Sequence, residues 1–155
     1  MKFVKMSSLA AALGAAGLVA SAALAGTVAP KEVAFESGSV ATSLTGVAGD
    51  PVAGRDTFKD RKLGNCLACH VNTEMPEESF HGEVGPALDG VAGRWSEAEL
   101  RGIVSNSRMT FEGTIMPAFY VDEGYERPLE GFGGTSILTA QQVEDVVAYL
   151  MTLQD

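Results

Sequence analysis

Cys66-Leu67-Ala68-Cys69-His70 is the stretch that decides how this chain is read. Two thiols at this spacing, followed at once by an imidazole, form the attachment signature of a c-type haem. Each thiol can add to one vinyl group of the porphyrin, and His70 is then held beneath the iron as an axial ligand. Two other chemistries use a Cys-x-x-Cys pair. A thioredoxin-like redox pair wants a βαβ context, and the sequence offers no convincing strands. A zinc site wants two further Cys or His ligands at finger-like spacing, but the chain has only two cysteines and its other histidine is His81. A disulfide between Cys66 and Cys69 would close so short a loop that it would staple almost nothing. The pentapeptide therefore predicts one covalently bound haem c and one-electron chemistry.

Reading toward the N-terminus, Lys2 and Lys5 precede a small, apolar run from Leu9 to Leu24, and Ala23-Leu24-Ala25 fits the small-x-small rule for cleavage. Residues 1–25 are expected to be a secretory signal peptide, which places the mature chain in the periplasm, where c-type haem is attached. A membrane anchor is the alternative; the run is rich in Ala and Gly and short for a span. Cleavage would remove two lysines and no acids, taking the formal charge from −9 to −11. Such a charge opposes nucleic acid and anionic lipid, favours basic partners, and fits a protein with no membrane insertion. Residues 26–49 lack sustained periodicity and are expected to form an extended arm or linker before a single domain over 50–155. Whether segments such as Glu32-Val33-Ala34-Phe35 order against the domain is not decided by their sequence.

The rest of the chain reads as helices joined by long loops. Asp50-Pro51 starts a helix expected to run to about Arg61, with Gly54 and Phe58 on one face and Gly64 ending it. Ser96 with Glu99 is a capping box for a second helix to about Asn106, with Leu100, Ile103 and Val104 at helical spacing. Thr139 with Gln142 is another, ahead of the stripe Val143, Val146, Val147, Leu150 and Leu153. Between these two helices, Arg108 to Leu138 holds two prolines and five glycines. A loop that long in a small domain usually has a task, such as covering a ligand.

A sixth ligand for the iron must come from far along the chain, because residues near His70 are committed to its own side of the porphyrin. Met75 is too close, and packing accounts for Met151. Of Met109 and Met116, the second is preferred, since Pro117 biases it into extended loop backbone from which a thioether can point inward. The alternative is a core methionine with His81 or water on the iron.

These features occur together in class I cytochrome c order: Gly54 and Phe58, the haem motif, Gly85-Pro86-Ala87-Leu88-Asp89-Gly90 with Gly93-Arg94, Met116, and Val146-Val147-Ala148-Tyr149-Leu150. From Asp50 onward the chain resembles that family, which implies an all-α fold around one haem. The resemblance implies that the Pro86 carbonyl accepts a hydrogen bond from His70 and that Arg94 approaches a haem propionate. It also implies that Gly54 lets the first and last helices cross closely beside Phe58 and Tyr149.

A narrower resemblance lies over the general one. Arg61 to His70, Phe80-His81-Gly82-Glu83-Val84-Gly85-Pro86, Thr114 to Tyr120 and Thr139 to Leu153 are similar to the SoxX family, the monohaem subunits of the SoxAX cytochromes of bacterial sulfur oxidation. Four extra residues between Phe58 and the first cysteine fit SoxX better than a generic cytochrome c. The resemblance implies a heterodimer with a SoxA-like subunit, acting as an L-cysteine S-thiosulfotransferase that joins thiosulfate to a cysteine of the SoxYZ carrier. It implies electrons leaving through a downstream cytochrome. With both cysteines taken by thioethers, this chain has no thiol left as a nucleophile, so no catalytic residue is expected on it. The alternative is a free-standing periplasmic electron carrier.

Overall fold

The computed structural model describes residues 26–128, 130–131 and 133–154. The expected export signal and its cleavage site lie outside the described residues.

The first helix, α1 (Pro51–Lys59), begins where Asp50 accepts hydrogen bonds from the N–H groups of Val52 (2.8 Å) and Ala53 (3.4 Å), with Pro51 at a position that needs no N–H. It closes at Lys59, short of the expected Arg61, because Asp60 caps it and turns its carboxylate onto the N–H of Lys62. A short helix, α2 (Val91–Arg94), was not expected from the sequence. The helices α3 (Glu97–Asn106) and α4 (Ala140–Leu150) start at the two capping boxes, each satisfied in both directions. Leu153 lies beyond the end of α4 and is nonetheless buried with the stripe. Among the described residues there is no strand, only an isolated bridge between Glu36 and Ser39. The all-α expectation holds.

Helices α1 and α4 cross so closely that a Cβ on Gly54 would sit 1.9 Å from the Asp145 carbonyl oxygen. Only glycine allows that approach. Phe58 and Tyr149 meet edge to face beside the crossing, with centroids 5.4 Å apart. The α4 stripe then packs against Leu100 and Val104 of α3, closing one core.

Residues 26–49 hold no regular element beyond one 3-10 turn, Pro30–Glu32, and pack against the domain rather than running free. Val40 and Leu44 are buried in the core, and Val28 pairs with Leu44 through its N–H at 2.8 Å. Arg101 and Glu144, both buried, form an ion pair at 3.0 Å. From it, Glu144 accepts the Leu44 N–H at 2.6 Å and Arg101 donates to the Val40 carbonyl at 3.0 Å. The pair thus satisfies backbone groups of the arm, and breaking a buried pair of this kind typically costs about 3–5 kcal/mol.

Candidate haem site

A cavity of about 590 Å³, within the range of cofactor sites, lies between α1, α3, α4 and the long loops. Its lining is mostly apolar, with Phe58, Leu100, Val104 and Leu150 among the walls. Cys66, Cys69, His70, Pro86 and Met116 all face it. Arg94 does not: its guanidinium donates to the carbonyls of Asp89 (2.6 Å) and Ala87 (2.8 Å). Its place in this structure is as a brace for the loop that carries Pro86.

The Cys66–Ala68 segment is a single turn of 3-10 helix, entered through Asn65 in the left-handed region at φ 48°. Asn is among the few side chains that tolerate that conformation. The turn sets both thiols toward the cavity, and burial pushes the Cys66 thiol up to about 12. His70 follows with Nδ1 2.7 Å from the Pro86 carbonyl oxygen. A carbonyl can only accept, so Nδ1 carries the proton and Nε2 keeps its lone pair, the form in which imidazole binds a metal. Gly85 lies flat against the ring: a Cβ there would stand 2.3 Å from His70 Cε1.

Met116 lines the same cavity. Its backbone is held by the Ser107 hydroxyl, which donates to its carbonyl at 2.8 Å, and by its own N–H bonding to Thr114 Oγ1 at 3.2 Å. Met109, the other contender, is half exposed and absent from the lining. His81 is also absent, with both ring nitrogens engaged elsewhere. Sequence reasoning missed Ser107, whose only signal is a small polar residue just past α3. It also missed Trp95 and Phe111, an edge-to-face pair at 5.9 Å that walls the cavity and that no local pattern announces.

Asp89 ties the loop after His70 to the Pro86 loop. It accepts from the Thr73 hydroxyl at 2.7 Å and from the Thr73 N–H at 2.9 Å. The hydroxyl bond is the main reason its carboxyl is held below the ordinary range. Two thiols, an imidazole in ligating form and a thioether around one apolar cavity are the donor set that a covalent haem requires. The residues present fit that group.

Comparison with known proteins agrees with the site. The sequence profile of the cytochrome c family matches residues 52–154. The solved structure described as SoxXA from P. pantotrophus superposes with a TM-score of 0.78 at 50% sequence identity, covering 83% of this chain and 99% of that one. No curated protein sequence matches. At that identity and coverage the likeness extends past the fold to the type of subunit: the chain belongs to the cytochrome c family, binds haem c covalently, and within that family is of the SoxX type.

Proposed function

We propose that this chain is the electron-accepting subunit of a SoxAX complex, exported to the periplasm and paired with a SoxA-like cytochrome. Cys66 and Cys69 would form the two thioethers, and His70 and Met116 would supply nitrogen and sulfur to the iron. When bound, the haem supplies a one-electron acceptor whose potential a thioether ligand raises relative to two histidines. The chain's own residues supply the rest. Pro86 holds the proton on His70 Nδ1, keeping Nε2 available and the ring in one orientation. The apolar walls would keep water from a bound haem, and Ser107 sets the Met116 backbone. Arg94 serves through the loop it braces, and a propionate contact would use the N–H groups those two bonds leave free.

One observation carries the division of labour. The only two thiols of the chain both line the haem cavity, so none remains to receive or transfer sulfur. Joining thiosulfate to the cysteine of the SoxYZ carrier then falls to the partner, and this chain takes the electrons for delivery to a downstream cytochrome. The likeness to a SoxXA structure supports the pairing. The test is to add thiosulfate and SoxYZ to the chain alone and to the chain co-expressed with a SoxA-type cytochrome. Haem reduction is expected only in the second case. A chain that forms no complex and passes electrons equally well by itself would be a free-standing carrier instead.

A further inference from the structure

His81 is neither in the cavity nor idle. Asn72 donates its backbone N–H to His81 Nδ1 at 3.2 Å, and His81 Nε2 lies 3.1 Å from the Met75 carbonyl oxygen. The first partner is a donor and the second an acceptor, so the ring is fixed as the neutral tautomer with its proton on Nε2. Both partners belong to the turn that follows His70. Asn72 and Met75 are fully buried, and the Asn72 side chain donates onward to the Tyr149 hydroxyl at 2.7 Å.

On its other side His81 begins a strap that runs to Pro86. Gly82 donates to the Leu67 carbonyl at 2.8 Å, and a Cβ on Gly82 would stand 2.0 Å from the Ala68 carbonyl oxygen. Gly85 donates to the Cys69 carbonyl at 2.8 Å, and Pro86 receives the His70 ring. The strap therefore touches Leu67, Ala68, Cys69 and His70 of the haem motif, and His81 is its near anchor. No other side chain within it ties it to the turn after His70 by a hydrogen bond among the described residues.

We propose that His81 is a positioning residue for His70: by joining the Asn72–Met75 turn to the 81–86 strap, it fixes where Gly85 and Pro86 hold the iron-facing ring. This rests on the reading of His70 as an axial ligand. Losing the two bonds frees the near end of the strap from the turn while Gly82 and Gly85 keep their backbone bonds to Leu67 and Cys69, so the strap shifts against the motif and the His70–Pro86 contact changes although neither residue does. A ring that merely fills space would not have this effect.

The test uses the haem-loaded, full-length chain. His81→Phe keeps a ring without hydrogen bonds, His81→Asn places an amide oxygen where Nδ1 sits, and His81→Gln reaches the Nε2 position alone. His81→Phe is expected to speed exchange of the Asn72 amide by about fivefold, the worth of one ordinary hydrogen bond. It is also expected to shift the reduction potential and the paramagnetically shifted His70 ring resonances. His81→Asn should return all three toward wild type, and His81→Gln should leave them shifted. Unchanged potential and His70 resonances in His81→Phe would overturn the proposal, as would a His81→Asn protein displaced as far as His81→Phe. If His81→Phe does not fold, the contrast between Asn and Gln decides in the same way. Failure of the ligand assignment is distinguishable, because the wild-type protein would then lack histidine resonances shifted by the iron.

Discussion

On the His70 wall of the cavity, three backbone hydrogen bonds of 2.8 to 2.9 Å stitch the motif to the following loop: Gly82 to Leu67, Gly85 to Cys69, and Leu88 to Val71. On the Met116 wall, residues 110–138 contain no helix among those described, and Met116 depends on one serine hydroxyl and one threonine hydroxyl. Its neighbour Ile115 is 81% exposed. Beyond Met116 the loop is next held at Phe119 and Tyr120, whose N–H groups bond to the α3 carbonyls of Val104 and Ser105, and at Tyr125, whose hydroxyl donates to the Ala118 carbonyl at 2.8 Å. Stability in a protein is uneven, and segments with few internal bonds open first. The difference teaches that this site has a fixed histidine side and a yielding methionine side, so with the ligation proposed above exchange should begin at Met116.

The comparison can be broken most severely on the fixed side. Replacing Cys66 and Cys69 together with alanine removes both covalent links, and haem staining after denaturing electrophoresis should disappear. A stain that survives would contradict the motif. On the yielding side, Met116→Ala should leave the haem attached, lower the reduction potential and admit exogenous imidazole. The fall should be a visible part of the roughly 0.8 V over which axial ligation sets haem potentials. A potentiometric titration checks it, and an unchanged midpoint would remove Met116 from the iron.

Smaller changes sharpen the contrast. Gly85→Ala drives a methyl into the His70 ring, which Pro86 prevents from moving, so it should cost about 1–3 kcal/mol in denaturant unfolding. Wild-type stability for that variant would mean that the fixed wall can yield. Ser107→Ala removes the hydroxyl that holds Met116 and should cost about 0.5–1.5 kcal/mol. Its more telling effect should be faster imidazole binding with no loss of haem, seen by stopped-flow absorbance. Equal acceleration by Gly85→Ala would erase the distinction between the walls.

The two walls also differ in how far they could be read beforehand. Pro86 was legible through the family pattern around Gly85-Pro86, and Met116 through Pro117 and elimination of the other methionines. The helix starts at Asp50, Ser96 and Thr139 were legible because a cap is a contact between residues two or three apart. Arg94 was legible as a residue of the site region but not as a loop brace, since nothing in its neighbours says where a long side chain will find acceptors. His81 stood only as a stray alternative ligand, because its two partners become its neighbours when the chain turns back on itself after His70.

What the sequence by itself determined is the haem and the helices: Cys66-Leu67-Ala68-Cys69-His70 carries its chemistry in five adjacent residues, and the apolar stripe of α4 carries its own period. What only the tertiary structure decided is how distant segments meet. The arm is bound to the core because Arg101 and Glu144, 43 residues apart, converge on the backbone of Val40 and Leu44. The cavity is closed by α1 and α4, which cross at Gly54, together with the loops that carry Pro86 and Met116, all of which contribute to its lining. Local signals are written in spacing along the chain, whereas these contacts depend on directions that arise only after the helices have packed.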